Sequence, residues 1–258
     1  MSFVTSLQSE ILKTKRTSSF WLSVIGAAFI PLILLLSYLS KPERIIPKLH
    51  FAPWPLHFAQ GWQPLSSFLL PMYIIIVCAL IPQIEFKNNA WKQVFASPQT
   101  TSQVYFSKFL TVHFMILFCY LLFNVFMISV ALMANAIHDK YEFLHSKIDW
   151  LGLLRLNART YISILGISAI QFWLSLRFKN FIAPIGIGLA LLISSLITMG
   201  FGWEHVDLLP YAHPMLTLQS IMKGKHPFLE NHEWYSIAYF AGFTLLGYLD
   251  LKLRNEKG

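Results

Sequence analysis

Charge is what this 258-residue sequence has least of. Only 12% of its residues are Asp, Glu, Lys or Arg, about half the share of a typical soluble domain. With 55% hydrophobic residues beside it, that scarcity excludes an ordinary water-soluble domain and describes a membrane protein. Cysteine is almost missing. Cys78 and Cys119 are the two present; each lies deep in an apolar run, reads as a small buried hydrophobe, and says nothing about redox compartment. Glycine-rich phosphate loops are missing as well. Gly224-Lys225 is followed by His226 and lacks the earlier glycine of G-x-x-x-x-G-K-[ST], so the chain has no P-loop for ATP. His-Glu-x-x-His, Gly-x-Ser-x-Gly and Cys-x-x-Cys are absent too, and no internal repeat or low-complexity tract appears. Acids inside the apolar runs are nearly lacking, since Glu85 and Asp250 stand at run ends. A proton- or ion-coupled carrier needs charge within the membrane, so this shortage speaks against a secondary transporter.

What is there is a series of long apolar runs. The first, residues 20–39, has 20 residues, longer than the roughly 7–15 of a signal-peptide core, and reads as a span that stays. The runs predict six membrane spans at about residues 20–39, 66–84, 109–137, 160–176, 181–203 and 234–249. The fold class is therefore all-α membrane protein, read as one permease-like domain over residues 1–258. The third run exceeds a hydrocarbon core of about 30 Å and must tilt or protrude. Arg155 and Arg159 precede the fourth, which reads as an interfacial start. Gly186 and Gly188 in the fifth suit close helix packing.

Residues 2–16 pattern as an amphipathic surface helix, with Phe3, Val4, Leu7 and Ile11 on one side and Gln8, Glu10 and Lys13 elsewhere. Lys13, Lys15 and Arg16 then precede the interfacial pair Phe20-Trp21. Residues 41–64 read as a loop rich in Pro, His and Trp, 139–149 as a polar loop, and 204–233 as a mixed loop with apolar patches.

The formal charge of +8 does not point to nucleic acid, because the basic residues sit in short runs beside the apolar segments, where membrane orientation accounts for them. Six spans put both termini on one side. That side carries 11 Lys and Arg and the other carries nine, but the 11 are packed into much shorter segments. The positive-inside rule then places both termini in the cytoplasm, in the cell inner (plasma) membrane.

One polar stretch between the second and third spans stands out, residues 85–98. At 100° per residue Ala90, Trp91, Val94 and Phe95 share a face, Asn88, Asn89, Lys92 and Gln93 take the other, and Lys87 intrudes on the apolar side. Pro98 stops the helix. Such a stretch is either a helix lying on the membrane or a docking element for a soluble partner, and amphipathicity alone favours the first.

Eight of the nine histidines fall in the segments assigned outside: His50, His57, His138, His145, His205, His213, His226 and His232. Glu204, His205, Asp207 and His213 match no metal-ligand spacing and read as ordinary loop residues. His113 and Asn124 share one face of the third span but lie roughly 16 Å apart along its axis. They cannot serve one catalytic event and read as bonds across helices. A membrane-embedded enzyme would cluster His, Asp or Glu at one depth, and none are clustered here.

The chain resembles the type-2 permease subunits of bacterial ABC transporters, especially the group of bacteriocin- and lantibiotic-immunity permeases. Three segments carry the likeness: Glu10-Ile11-Leu12-Lys13-Thr14-Lys15-Arg16-Thr17 leading into Phe20-Trp21; the stretch with Glu85, Trp91, Lys92 and Pro98 ahead of Lys108; and Gln171-Phe172-Trp173-Leu174-Ser175-Leu176-Arg177-Phe178-Lys179-Asn180 before a glycine-containing fifth span. The resemblance implies a non-enzymatic subunit of an ATP-driven exporter of a peptide or amphiphile, with an N-terminal interfacial helix and six spans. It implies a cytoplasmic ATPase subunit that carries ATP and Mg, with no cofactor bound by this chain, and a second permease subunit, identical or different. It also implies that residues 85–98 form a coupling helix on which the ATPase docks, with Glu85, Phe86, Trp91, Lys92, Val94, Phe95 and Pro98 as the contact residues. No catalytic residue is carried over.

Overall fold

The computed structural model describes residues 2–15, 17–49, 51–87, 99–178, 180–224 and 228–255. These are almost wholly helical, and no strand occurs among them. A short helix, α1 (Phe3–Thr14), leads into α2 (Ser18–Ser40). Then come α3 (Pro42–Leu49), α4 (Pro53–Pro64), a π-helical turn (Leu65–Leu69) and α5 (Leu70–Lys87). The longest helix, α6, spans Thr101–Ile137. It is followed by α7 (Trp150–Ser163), α8 (Leu165–Arg177), α9 (Ile182–Gly200), α10 (His213–Met222) and α11 (Asn231–Asn255).

Four of these segments are long and apolar enough to cross a membrane: Ser18–Ser40, Pro53–Phe86, Thr101–Ile137 and Ile182–Gly200. The second of them corrects the sequence reading. Residues 41–64 were expected as a loop, yet they form α3 and α4, and α4 runs on through the π turn into α5 as one 34-residue apolar segment. Two of the prolines that suggested a loop start helices instead, while Pro47 and Pro64 sit inside them. Pro42 opens α3 and Pro53 sits in the first turn of α4, where a missing N–H breaks no helical bond. At 1.5 Å per residue, 34 residues measure about 51 Å, well beyond a hydrocarbon core of about 30 Å.

The third segment begins earlier than expected, at Thr101, because Thr100 and Gln103 form a reciprocal capping box that satisfies two free N–H groups of the first turn. The fourth is not one helix over residues 160–176. It breaks between α7 and α8 at Ile164. Ser236 of α11 covers the break: its Oγ lies 2.8 Å from the Ile162 carbonyl and 3.0 Å from the Ser163 carbonyl, and accepts the Gly166 N–H at 3.0 Å. A neighbouring hydroxyl thus takes up the backbone groups that the break frees, the condition for irregular backbone inside a bundle. The stretch expected as the sixth span, 234–249, falls inside the longer α11. Where Gly188 of α9 stands, a Cβ would collide with Gln171 and Ile75, so this glycine sets a close approach; Gly186 faces open space and does not.

The core is aromatic and aliphatic, drawn mainly from α5, α6 and α8, with Ile74, Ile75, Val77, Cys78, Val112, Ile116, Phe123 and Phe172 fully or almost fully buried. One end of the bundle carries α1, the start of α6 and the end of α11: Tyr105 donates to the Thr244 carbonyl at 3.0 Å and Arg177 reaches Asp250 at 3.1 Å. The opposite end gathers α3, α4, the turn after α6, α10 and the start of α11. There Tyr141 donates to the Tyr38 carbonyl at 2.7 Å.

Candidate functional site

Helix α1 forms where expected, capped by Ser2, whose Oγ accepts the Thr5 N–H at 3.2 Å. Phe3 and Val4 of its expected apolar side face away from the bundle. The face packed on α6 is Ser6, Glu10 and Thr14, one residue per turn, while Phe3, Val4 and Leu12 are 39%, 61% and 61% exposed. In a membrane protein the apolar face is free to look toward lipid, and the polar stripe is what must be paired. It is paired: Ser6 donates to Ser107 Oγ at 3.1 Å.

Glu10 continues that stripe into a buried ion cluster. Lys108, near the start of α6, donates from Nζ to Glu10 Oε2 at 2.7 Å and to Glu85 Oε1, near the end of α5, at 2.6 Å. Lys13 adds a second cation, 2.7 Å from Glu10 Oε1 and 3.1 Å from Glu85 Oε1. Lys108, Glu85 and Glu10 are only 1%, 2% and 7% exposed; Lys13 sits at the rim. Two carboxylates meet two ammoniums, so the cluster is neutral, the condition under which charge can be buried. Burial by itself would raise the Glu10 carboxyl, but Lys108 and Lys13 outweigh it and hold Glu10 below its ordinary value. Lys13 is likewise lowered by burial but raised on balance by Glu10 and Glu85. Glu85 Oε2 is buried with no hydrogen-bond partner among the described residues.

Of the residues expected to dock a partner, Glu85 and Phe86 belong to α5. Trp91, Lys92, Val94, Phe95 and Pro98 lie outside the described residues. What the structure does establish is the frame around them. The helix that leads into residues 88–98 and the helix that leaves them are bolted together through Glu85 and Lys108, and both are bolted to α1 through Glu10 and Lys13.

A second buried ion pair lies at the opposite end. Arg159 of α7 grips Glu233 of α11 through two parallel bonds, Nε to Oε1 at 2.9 Å and Nη2 to Oε2 at 3.1 Å. Arg159 is 4% exposed and Glu233 is fully buried. Thr217 of α10 donates to Glu233 Oε1 at 3.1 Å, and the Glu230 N–H donates to Oε2 at 2.8 Å. One carboxylate therefore caps α11 and binds α7 and α10 at once. Arg159, read from the sequence as part of an interfacial start, is held here by a buried carboxylate. Because Glu233 can only accept, the Thr217 hydroxyl points at it, and His232 Nε2–H donates to Thr217 Oγ1 at 2.8 Å. Burial pushes the His213 imidazole down to about 3, against the pull of the Asp207 carbonyl that accepts its Nε2–H at 2.8 Å. Burial also lowers His232.

The remaining polar residues tie helices together. His57, fully buried, donates from Nε2 to the Met127 carbonyl at 2.9 Å and accepts Tyr38 O–H at 2.7 Å on Nδ1. It is a clamp between α2, α4 and α6, not the loop residue expected. His113 and Asn124 do bond across helices, both to α7: His113 to Tyr161 at 2.9 Å and Asn124 to Asn157 at 2.8 Å. No group of three or more His, Cys, Asp or Glu among the described residues is placed to share a metal ion.

The apolar helices and their neutralised interior charges define a multi-pass α-helical membrane protein. The chain belongs to the ABC-2 family of transporter proteins, whose model, described as "ABC-2 family transporter protein", matches residues 6–195. The family is one of membrane components of ABC transporters, which work beside a separate ATPase subunit and are not themselves enzymes. No curated protein and no solved structure matches the chain. The matched region contains the whole Glu10, Lys13, Glu85 and Lys108 cluster and stops before α10 and α11. Sequence reasoning named Glu85 as a docking contact and Lys108 as a span start but did not pair them, and it missed Arg159–Glu233. The available signal was Glu233 three residues after Glu230 at a helix start, facing an arginine inside an apolar helical pattern.

Proposed function

We propose that this chain is the membrane subunit of an ATP-driven exporter that moves a peptide or an amphiphile out of the cytoplasm or out of the membrane. In this reading the chain crosses the inner (plasma) membrane of a bacterium six times, with α7–α8 and α11 joining the four apolar segments as spans, and keeps both termini in the cytoplasm. A second permease subunit completes the pathway. ATP and Mg are held by the cytoplasmic ATPase, and this chain binds no cofactor. Residues 85–98 are the coupling helix, with Trp91 and Phe95 anchoring in the ATPase, Phe86, Lys92 and Val94 flanking them, and Pro98 ending the helix. Within the family, the bacteriocin- and lantibiotic-immunity permeases are the subgroup favoured by the sequence resemblance.

The observation that carries this reading is the Glu85–Lys108 pair. A force applied to residues 88–98 enters two helices at once, and the buried cluster makes them move with α1 as one body. A lone carrier has no need of such a tie around one connection, and acids within the apolar runs, which it would need, are nearly lacking. The test is co-expression with candidate ATPases. The chain alone neither binds nor hydrolyses ATP, whereas a stable complex with one ATPase hydrolyses it. Micromolar nucleotide binding by the isolated chain, or transport without any ATPase, overturns the reading.

A further inference from the structure

Buried polar atoms are normally paired, and each exception calls for an explanation. Four exceptions fall in α4, the π turn, α6 and α7. Among the described residues Trp62 Nε1, Ser66 Oγ, Tyr120 Oη and Thr160 Oγ1 have no hydrogen-bond partner, although Trp62, Ser66 and Thr160 are fully buried and Tyr120 is 6% exposed. Trp62 and Tyr120 are in ring contact at 5.8 Å, and Tyr120 meets Tyr161, the neighbour of Thr160, at 6.4 Å. Ser66 lies one turn along from Trp62, and α10 packs on α4, on the π turn and on α7, closing the end of this region.

The backbone marks the same place. Residues Leu65–Leu69 follow π-helical hydrogen bonding, the Leu70 N–H reaching back to the Leu65 carbonyl. A π turn costs helix regularity and recurs at functional sites, and irregular backbone inside a membrane protein belongs where it is packed or lines a pathway. We propose that Trp62, Ser66, Tyr120 and Thr160 form a binding site for the uncharged hydrogen-bonding groups, amide or hydroxyl, of the transported molecule.

Charge decides the ligand class. Of the segments that build the site, α4, the π turn, the stretch of α6 from Phe109 to Ile137, and α10 contain no Lys, Arg, Asp or Glu. Helix α7, which supplies Thr160, carries Arg155 and Arg159, and Arg159 beside Thr160 is paired with Glu233. An ion would enter uncompensated; a peptide amide would exchange its hydrogen bonds to water for bonds to the orphaned N–H and hydroxyls. This inference deepens the transport reading by naming where cargo binds, and its test needs neither ATP hydrolysis nor transport.

The experiment places Ser66→Cys in the chain, in membrane vesicles with its ATPase, and follows labelling by a small hydrophilic methanethiosulfonate in each nucleotide state. Labelling is expected in at least one state. N-acetyl-dileucine amide should protect the thiol, and decanoate at equal concentration should not. Trp62→Phe and Thr160→Val should each weaken that protection about tenfold, the value of one hydrogen bond to a buried group. Thr160→Val should keep or raise Tm, because it removes a hydroxyl that holds no structural bond at nearly unchanged volume; Trp62→Phe also empties buried volume and lowers Tm for that reason alone. A fall in Tm in Thr160→Val makes that hydroxyl structural and overturns the site. So does a thiol that is never labelled, or equal protection by amide and carboxylate. If the chain fails to capture an ATPase while the amide still protects, the exporter reading falls and the site stands.

Discussion

Lys108 Nζ lies 2.6 Å from Glu85 Oε1 across a gap of 23 residues in the sequence, and both side chains are almost fully buried. The pair closes the two helices that flank residues 88–98 into a single unit. Removing one member of such a pair is far worse than removing all, because it strands a charge away from water. Lys108→Met leaves Glu10 and Glu85 facing each other and should destabilise the protein by about 3–5 kcal/mol. Adding Glu10→Gln and Glu85→Gln should recover most of that loss. Thermal unfolding in detergent measures both, and a single variant as stable as the parent contradicts a buried, coupled cluster.

The same cluster predicts a pH limb. Glu10 titrates below its ordinary value, so its contribution is complete above about pH 4.3, the unfolded value, and is lost as pH falls through the depressed folded value. Lys13 titrates above its ordinary value; its smaller contribution, screened at the rim, is complete below about pH 10.4 and fades above it. Tm measured from pH 7 downward should stay level and then drop. Glu10→Gln should start lower at pH 7 and show a shallower acid drop. A variant with the parent's acid profile assigns that limb to other carboxylates.

At the opposite end, Arg159 and Glu233 hold α7, α10 and α11 through one carboxylate. Arg159→Ala should cost about 3–5 kcal/mol by leaving Glu233 buried and unpaired. Arg159→Lys should recover little, since an ammonium cannot make the two parallel bonds. The double change Arg159→Met with Glu233→Leu should be milder than either single change. Tm and membrane yield report on each variant and on the single changes Arg159→Met and Glu233→Leu, and additive single effects would show that the two residues are not coupled.

The helices were legible in the sequence because their apolar runs are long, and His113 and Asn124 could be read as bonds across helices because both sit inside such a run. The failures have physical causes. Residues 41–64 look like a loop because Pro42 and Pro53 are helix breakers anywhere but the first turn, which is where they stand. Helix α1 was legible as an amphipathic surface helix, but its packed face, Ser6, Glu10 and Thr14, was not, because a polar stripe gives no hydrophobic signal. Glu10, Glu85 and Lys108 are separated by 75 and 23 residues, and no periodicity reports a contact at such distance. Arg159 reads as interfacial until its partner, 74 residues away, is known.

The last prediction separates docking from a passive surface helix at residues 88–98. A docking helix uses Trp91 and Phe95 as anchors in a cleft of the ATPase, because buried aromatic residues dominate such contacts. Trp91→Ala with Phe95→Ala should then cost about 3–6 kcal/mol of association, at least a hundredfold in affinity. Insertion should survive, because the spans and the Glu85–Lys108 tie beside the stretch are untouched. Lys108→Met supplies the contrast: it should leave the docking face intact but loosen the helices behind it, so the ATPase still binds while transport driven by ATP falls. The measurements are co-purification of the tagged chain with its ATPase, membrane level, and ATP-dependent transport, for each variant. A double aromatic variant that co-purifies and transports normally returns residues 88–98 to a helix lying on the membrane, and leaves the ion cluster as a structural bolt with no part in coupling.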